Sequence, residues 1–329
     1  MDQDKGIILV HLPGDRIIPR LVERLREAGA GREVLCSSDS AAIPAEIEKV
    51  LDKIEIAVGF VPWDLVSRMP RLGWVQLWSA GADGLQSRPE LKSLPFQLTN
   101  TSGIHKQQIT EHIFGLLLAW NRCFPRVFAA RQRREWLRVG DGDVSVLSGK
   151  TMLILGYGAI GEQTARTALV FGMQVIGLRR RLGKPATERG IRLEPGTKLR
   201  ELLPQADVVV NILPHTQDTT KLFGRAEFAA MKKTALYVNV GRGATTDEEA
   251  LIEALKNKTI TGALLDVTQK EPLPGDSPLW DLENLILTGH YGGMHPDYSA
   301  LALEVTLDNL RRYVKGEPLK NLVDKNAGY

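Results

Sequence analysis

The segment GYGAIG at residues 156–161 constrains the fold of this chain more than any other feature, because its glycines have the spacing GxGxxG. It follows an apolar run, Met152–Leu155, and precedes a helix-like segment, which is the context the motif requires. Gly156 would allow a tight turn, Gly158 a close approach of a pyrophosphate to the backbone, and Gly161 close packing of helix on strand. The motif therefore predicts a dinucleotide site rather than a ligand-free turn. Its expected cofactor contacts are Gly156, Gly158, Ala159, Ile160 and Gly161.

Short apolar runs alternate with helix-like segments along almost the whole chain. This alternation favours an α/β protein with doubly wound parallel sheets, of the Rossmann or flavodoxin kind. Four strands are predicted in the first third: Gly6–Val10, Ile54–Gly59, Trp74–Leu77 and Gln97–Asn100. Six follow: Met152–Leu155, Gln174–Leu178, Val208–Ile212, Ala235–Asn239, Gly262–Leu265 and Leu285–Thr288.

A length of 329 residues exceeds what one core usually holds, so two domains are expected. The long helix that starts near Thr110 should be interrupted at Pro125. The basic stretch Arg131–Trp136 is interpreted as a solvated helix face, with a wall near an anionic ligand as the alternative. A final helix, Ser299–Val314, is expected to return to the first domain, which makes that domain discontinuous.

Composition excludes several classes of function. With 43% hydrophobic residues, 25% charged residues and a net charge of +3, nothing indicates nucleic acid or an acidic membrane surface. The apolar run Gly6–Leu12 is too short for a signal peptide, and no run is long enough to span a bilayer. Cys36 and Cys123 form no CxxC or Cys/His cluster, so neither a disulfide framework nor a metal site is expected. A cytoplasmic protein is the resulting expectation.

The end of the second strand of the nucleotide fold indicates which dinucleotide is bound. An NAD site usually has an acidic residue there for the ribose hydroxyls, whereas this chain has Arg179-Arg180-Arg181 after Leu178. Guanidinium groups suit a 2′-phosphate, so NADP is favoured over NAD, with Arg179 and Arg180 as the expected contacts. The alternative is that these arginines are solvated and NAD binds without the acid. Further expected cofactor contacts are Pro214, Thr219, Val240, Asp266, His290 and Gly292.

Three residues at predicted strand ends in the C-terminal half have the chemistry for reducing a 2-oxoacid. His290 could donate the proton, because histidine titrates near neutral pH, and Glu271 could orient it. Arg242 could polarise the carbonyl and anchor the carboxylate. Each also has a structural interpretation: a surface histidine, a loop charge and a helix cap. The segment Thr246–Glu249 has the spacing of a capping box.

With these residues in place, the chain resembles the D-isomer-specific 2-hydroxyacid dehydrogenase family over nearly its whole length. The resemblance rests on the glycine motif and on segments at residues 74–83, 99–105, 110–112, 213–216, 239–243, 266–267, 271–274, 278–280 and 288–290. It implies the catalytic set Arg242, Glu271 and His290, and substrate carboxylate binding by backbone amides around Ala80 and Gly81. It further implies a homodimer, and a dinucleotide-binding domain at 104–294 inserted into a substrate-binding domain formed by 1–103 and 295–329.

Two departures from the family pattern bear on function. The family usually has proline before the catalytic histidine, whereas this chain has Gly289. The second departure is the absence of the ribose-binding acid after Leu178, a feature in which the chain resembles the NADP-preferring glyoxylate and hydroxypyruvate reductases. NAD(P)-dependent reduction of a small 2-oxoacid is therefore the leading hypothesis. A phosphoglycerate dehydrogenase-like enzyme, which the basic stretch Arg131–Arg138 leaves open, and a non-enzymatic dinucleotide-sensing corepressor are the alternatives.

Overall fold

The computed structural model describes residues 5–38, 44–85 and 88–329 of the chain. The strands in these ranges are β1 (Ile7–His11), β2 (Val34–Ser37), β3 (Ile54–Gly59), β4 (Trp74–Leu77), β5 (Gln97–Thr99), β6 (Thr151–Leu155), β7 (Gln174–Arg179), β8 (Ala186–Glu188), β9 (Ile191–Pro195), β10 (Val208–Asn211), β11 (Leu236–Asn239), β12 (Gly262–Leu265) and β13 (Leu285–Leu287). The α-helices are α1 (Leu21–Ala28), α2 (Ala45–Glu48), α3 (Trp63–Val66), α4 (Lys106–Asn121), α5 (Phe124–Gln132), α6 (Ala159–Val170), α7 (Leu199–Leu202), α8 (Arg225–Ala230), α9 (Glu248–Lys256) and α10 (Tyr298–Lys315).

The chain divides into two compact units, one formed by Met1–Ile104 with His295–Tyr329 and the other by His105–Met294. This division lies within one residue of the expected boundaries, and Ile104 falls in the first unit. The substrate-binding and dinucleotide-binding roles assigned to the two parts stay predictions.

The first unit is built on a five-stranded parallel sheet with the order β2-β1-β3-β4-β5. Strands β1 and β4 are buried along their whole length, as expected when helices cover both faces of a parallel sheet. The C-terminal helix α10 packs on one of these faces through Ala302, Leu303 and Leu307. The indole of Trp78 donates a hydrogen bond to Thr306 Oγ1 at 2.9 Å, which fixes the helix against the end of β4.

The second unit contains an eight-stranded sheet with the order β13-β12-β11-β10-β6-β7-β9-β8. All neighbouring strands are parallel except β8 and β9, which pair antiparallel. The strand that precedes the glycine motif, β6, lies between β10 and β7, so the sheet changes winding direction next to it. Ligands of open α/β sheets bind at such a switch point, beyond the carboxyl ends of the strands. The doubly wound α/β fold is confirmed.

Three strands were missed by the sequence analysis. Strand β2 has only four residues with mixed exposure. Strands β8 and β9 are short, and Arg189 and Gly190 between them both have positive φ, 51° and 81°. Two such residues suit the tight turn of a two-stranded hairpin. Short edge strands carry little apolar periodicity, which is why the pattern did not reveal them.

Two local predictions were wrong and one is confirmed. Helix α5 ends at Gln132, so the basic residues that follow are exposed but not helical; Arg133 pairs with Glu135 at 2.8 Å. The predicted capping box at Thr246 does not form: α9 begins after Asp247, and the Thr246 hydroxyl bonds instead to Tyr237 and Asn239. The long helix does break near Pro125, which occupies the first turn of α5.

Candidate active site

The glycine motif forms a tight turn between β6 and α6 in the second unit. Gly156 has a φ of +96°, in the left-handed region that favours glycine. A Cβ on Gly161 would lie 2.5 Å from the carbonyl oxygen of Gly156, so no larger residue allows this close packing of helix and strand. A Cβ on Gly158 would meet no atom within 4 Å, so this glycine faces open space at the start of α6. Amides in the first turn of a helix attract anions, so this cradle fits the pyrophosphate of a dinucleotide.

The arginines that follow β7 lie on one side of this cradle. The guanidinium of Arg179 stands 5.6 Å from the ring centre of Tyr157, the second residue of the motif. The ring of Tyr157 packs against Gly177, where a Cβ would clash with it. Arg180 donates a hydrogen bond to the carboxylate of Asp218 at 2.6 Å. Asp218 was missed by the sequence analysis, since it lies 38 residues further along the chain.

On the other side of the cradle, the loop after β10 is tied by its own threonines. Thr219 Oγ1 donates to the carbonyl oxygen of Pro214 at 2.7 Å and accepts from the amide of Thr216 at 2.8 Å. The predicted cofactor contact Thr219 therefore shapes the loop that would face the ligand. A Cβ on Gly241 would lie 2.6 Å from the carbonyl oxygen of Leu213, so the loop that starts at Val240, another predicted contact, packs directly on this one.

Arg242 stands after β11 in a loop fixed by its backbone. Its carbonyl oxygen accepts hydrogen bonds from Thr245 Oγ1 at 2.7 Å and from Asn239 Nδ2 at 3.2 Å. A Cβ on the next residue, Gly243, would clash with the carbonyl oxygen of Thr268. The loop of Arg242 is thus in direct contact with the loop that carries Glu271. The side chain of Arg242 is partly buried, and its Nη1 donates to the carbonyl oxygen of Gly241 at 2.8 Å.

The predicted pair of His290 and Glu271 is in contact in the structure. Nδ1 of His290 lies 2.6 Å from Oε2 of Glu271, and Oε1 of Glu271 accepts from the amide of Thr268 at 3.0 Å. An ionised carboxylate can only accept, so the proton is on Nδ1 and the ring orientation is fixed. The opposite nitrogen, Nε2, then points away from Glu271 and is the one that can exchange a proton with a ligand. About half of the imidazole surface is exposed, which leaves it accessible.

His290 also has an unusual backbone conformation, with a φ of +55°. Residues other than glycine rarely adopt this region, and such conformations persist where surrounding contacts determine them. The amide of His290 donates to the carbonyl oxygen of Asp266 at 2.8 Å. The flexible Gly289 stands where the family usually has proline, so these contacts, rather than a rigid preceding residue, hold the histidine.

Asp266 organises the loop that carries His290. It follows β12, is 3% exposed, and its Oδ2 accepts from the amide of Gly292 at 2.9 Å. Its Oδ1 accepts from Thr288 Oγ1 at 2.6 Å and lies 3.3 Å from Nε2 of His112. Burial alone would raise the pKa of Asp266, but the hydrogen bonds from His112, Thr288 and Gly292 outweigh it and lower this pKa to about 2. The contacts of His112 and Thr288 with Asp266 were not predicted from the sequence.

His105 begins the second unit and is 7% exposed. Burial lowers the pKa of His105 to about 4, and the nearby positive charge of Arg242 acts in the same direction. His105 is therefore neutral at neutral pH and does not compete with Arg242 for an anionic ligand. The ring lies beside Gly293, where a Cβ would come within 3.3 Å of it.

The segment expected to bind the substrate carboxylate, Ala80-Gly81, lies in the first unit. Its peptide planes are fixed by three hydrogen bonds: Asn100 Nδ2 to Ala80 O at 2.8 Å, Ser79 Oγ to Gly81 O at 2.8 Å, and the Thr101 amide to Ser79 O at 3.1 Å. In a trans peptide the N–H points opposite to the C=O. The amides of Ala80 and Gly81 are thus both oriented away from these partners.

Together the doubly wound sheet, the glycine cradle and the paired acid and histidine define an oxidoreductase that uses a dinucleotide. The family model for the NAD binding domain of D-isomer specific 2-hydroxyacid dehydrogenases matches residues 114–292. The chain belongs to the D-isomer specific 2-hydroxyacid dehydrogenase family. The class of activity follows: NAD(P)-dependent hydride transfer between a 2-hydroxyacid and its 2-oxoacid.

Among curated relatives, the chain is 32% identical to a D-3-phosphoglycerate dehydrogenase of Methanocaldococcus jannaschii over 84% of this chain and 53% of that protein, so it spans about half of that relative. It is 35% identical to glyoxylate/hydroxypyruvate reductase B of an Enterobacter species over 80% of this chain and 81% of the relative. A solved NADPH-dependent glyoxylate/hydroxypyruvate reductase of Sinorhizobium meliloti, in complex with NADP and sulfate, has a TM-score of 0.82 and 30% identity, covering 99% of this chain and 100% of that one. The phosphoglycerate alternative is not better supported than the reductase hypothesis.

Within the described ranges, no helix has both the length and the apolar character needed to cross a bilayer.

Proposed function

We propose that this protein is an NADPH-dependent reductase of small 2-oxoacids such as glyoxylate or hydroxypyruvate. The observation that carries the proposal is the contact of 2.6 Å between His290 and Glu271, at the sheet edge that also carries the glycine cradle. The names of the relatives, several of which are glyoxylate or hydroxypyruvate reductases, support the substrate class. The cofactor preference and the residue roles below are parts of the same proposal.

The proposed mechanism assigns one task to each side chain. A bound nicotinamide supplies the hydride. Nε2 of His290 donates a proton to the carbonyl oxygen of the 2-oxoacid, and Glu271 stabilises the positive charge on the imidazole before transfer. Arg242 polarises the carbonyl, and the amides of Ala80 and Gly81 bind the carboxylate. In the oxidative direction His290 takes the proton back.

The proposed preference for NADP rests on the residues after β7. Arg179 ends the strand, Arg180 follows, and neither position offers the carboxylate that usually binds the ribose of NAD. Two guanidinium groups at this position suit a phosphate ester, because they form charge-assisted hydrogen bonds in two directions. That the similar Sinorhizobium meliloti reductase was solved with NADP supports this choice.

A panel of 2-oxoacids, assayed in parallel with NADPH and NADH, tests the proposal. We expect substrate-dependent loss of NADPH absorbance, with glyoxylate or hydroxypyruvate among the better substrates. His290→Asn should lower kcat by about 10²- to 10⁴-fold, the usual contribution of a general acid, with NADPH binding retained. Folded protein that binds NADPH but reduces no member of the panel would contradict the proposal.

We further propose that a second copy of the chain covers an exposed aromatic surface of the second unit. The ring centres of Phe124 and Phe128 on α5 lie 5.7 Å apart, and Phe128 is 58% exposed. Trp136, in the segment that follows, is 91% exposed. Aromatic residues are enriched in interfaces, and large exposed apolar patches mark interaction sites. The family resemblance implies a homodimer that pairs through the dinucleotide-binding domain.

Light scattering coupled to size-exclusion chromatography tests the dimer. The wild-type mass should be twice that of the chain, and Phe128→Asp combined with Trp136→Ser should shift it towards the monomer. The control is Val170→Asp at the end of α6, which also removes an exposed apolar side chain. A wild-type monomer at micromolar concentration would refute the proposal.

A further inference from the structure

An ion pair spans the proposed dinucleotide cradle. Nη2 of Arg180 lies 2.6 Å from Oδ2 of Asp218, and the two side chains are 55% and 68% exposed. Arg180 comes directly after β7, whereas Asp218 belongs to the loop after β10. The pair therefore joins two loops that are distant in sequence.

The strand order places this ion pair over the glycine motif. Strand β6 lies between β10 and β7, and the glycine motif follows β6. The loops after β10 and β7 are thus about 10 Å apart at the sheet edge, two strand spacings, with the glycine cradle between them. The ion pair bridges the central strand on the side where dinucleotides lie in this fold.

The loop that carries Asp218 is preformed. Besides the two hydrogen bonds of Thr219 described above, the amide of Thr220 donates to the carbonyl oxygen of Thr216 at 3.0 Å. The backbone of Asp218 is consequently held in one place while its carboxylate reaches out to Arg180. A carboxylate presented in this way acts as a fixed negative charge next to the arginine.

We propose that Asp218 is a specificity-determining residue that competes with the 2′-phosphate of NADP for Arg180. The inference rests on the proposed function, in which Arg180 binds that phosphate. A phosphate ester carries up to two charges and three acceptor oxygens, so it can displace a single carboxylate from an exposed arginine. The pair between Asp218 and Arg180 has to break before Arg180 can bind the phosphate, and this cost weakens NADP binding. NAD, which has only a ribose hydroxyl at this point, leaves the pair intact and is unaffected.

The test is Asp218→Asn, which removes the charge and keeps the shape. Dissociation constants for NADPH, NADH, 2′,5′-ADP and 5′-ADP are measured by fluorescence titration and calorimetry, without turnover. We expect the variant to bind NADPH and 2′,5′-ADP about five- to tenfold more tightly at low salt, and NADH and 5′-ADP within about twofold of wild type. The gain should shrink at high salt because exposed charges are screened.

Two controls show whether Asp218 acts through Arg180. Asp276→Asn, which removes an exposed carboxylate elsewhere in the same unit, should change no constant. In an Arg180→Ala background, the effect of Asp218→Asn on 2′,5′-ADP should fall to about twofold or less. Equal changes for NADPH and NADH, weaker NADPH binding, or an undiminished effect in the Arg180→Ala background would each overturn the proposal. The ratio of the NADPH and NADH affinities of the wild type tests the proposed function separately. A wild-type preference for NADH would contradict the proposed NADPH dependence, but Asp218→Asn would still be expected to tighten NADPH binding.

Discussion

Replacing Asp266 by asparagine should destabilise the second unit by removing the charge that holds the loop of His290. The carboxylate is buried and accepts hydrogen bonds from Thr288, from Gly292 and, over a longer distance, from His112. An asparagine can accept with only one of its two terminal atoms, so its amide nitrogen would face a donor. A buried donor without an acceptor costs about 1–3 kcal/mol.

The pKa of Asp266 gives an independent value for the contribution of its charge to the free energy of unfolding. This pKa falls from its ordinary value of 3.8 to about 2, because the hydrogen bonds to the charged form outweigh the effect of burial. At 1.36 kcal/mol per pH unit, the charged form stabilises the folded state by about 2 kcal/mol. A group with a lowered pKa contributes this stability above its unfolded value, and the contribution is lost as the pH falls from about 4 towards 2.

Urea unfolding at several pH values checks the reasoning. At pH 7 the free energy of unfolding of Asp266→Asn should be about 2 kcal/mol below that of wild type, and the difference should shrink by about 1 kcal/mol at pH 3. Asp276→Asn serves as the control, since its carboxylate lies on the surface of the same unit. Equal midpoints for Asp266→Asn and wild type at pH 7, or a difference that does not change with pH, would refute this account of the loop.

Three further predictions address the cradle, the histidine pair and the start of the second unit. Gly158→Ala should keep wild-type stability but lose dinucleotide affinity. Gly161→Ala should lower the melting temperature, because its Cβ would clash with the backbone of Gly156. Thermal unfolding and NADPH titration distinguish the two effects. Glu271→Gln should lower kcat by more than tenfold, because the imidazole of His290 loses the carboxylate that orients it; an unchanged kcat would count against the pair. The pKa of His105 falls from 6.5 to about 4, so the unfolded chain binds a proton that the folded chain excludes in this window. Wild-type stability should therefore decrease by about 3 kcal/mol on acidification through the window, and His105→Gln should flatten this dependence in urea titrations.

The sequence by itself determined the class of fold and ten of the thirteen strands in the described ranges. Buried parallel strands are continuous apolar runs, and the GxGxxG turn has a local steric requirement, as the contact of Gly161 with Gly156 illustrates. Each of these two signals is carried by residues that are close together in the sequence, which is why both can be detected without the tertiary structure. Placing Arg242, Glu271 and His290 at strand ends followed from the same patterns, and the contact between the last two agrees with that placement.

Only the tertiary structure decided which side chains meet across distant loops. His112 on α4 approaches Asp266 after β12, and Asp218 approaches Arg180, although no local pattern links either pair. Thr246 shows the same limit: its spacing fits a helix cap, yet the buried hydroxyl of Tyr237 takes its hydrogen bond. Such partners depend on strand order and loop geometry, and a hydrogen bond forms wherever the fold brings donor and acceptor within reach. The cofactor cradle was thus predicted from residues 156–161, whereas the pairing of the charged side chains around it depends on the assembled sheet.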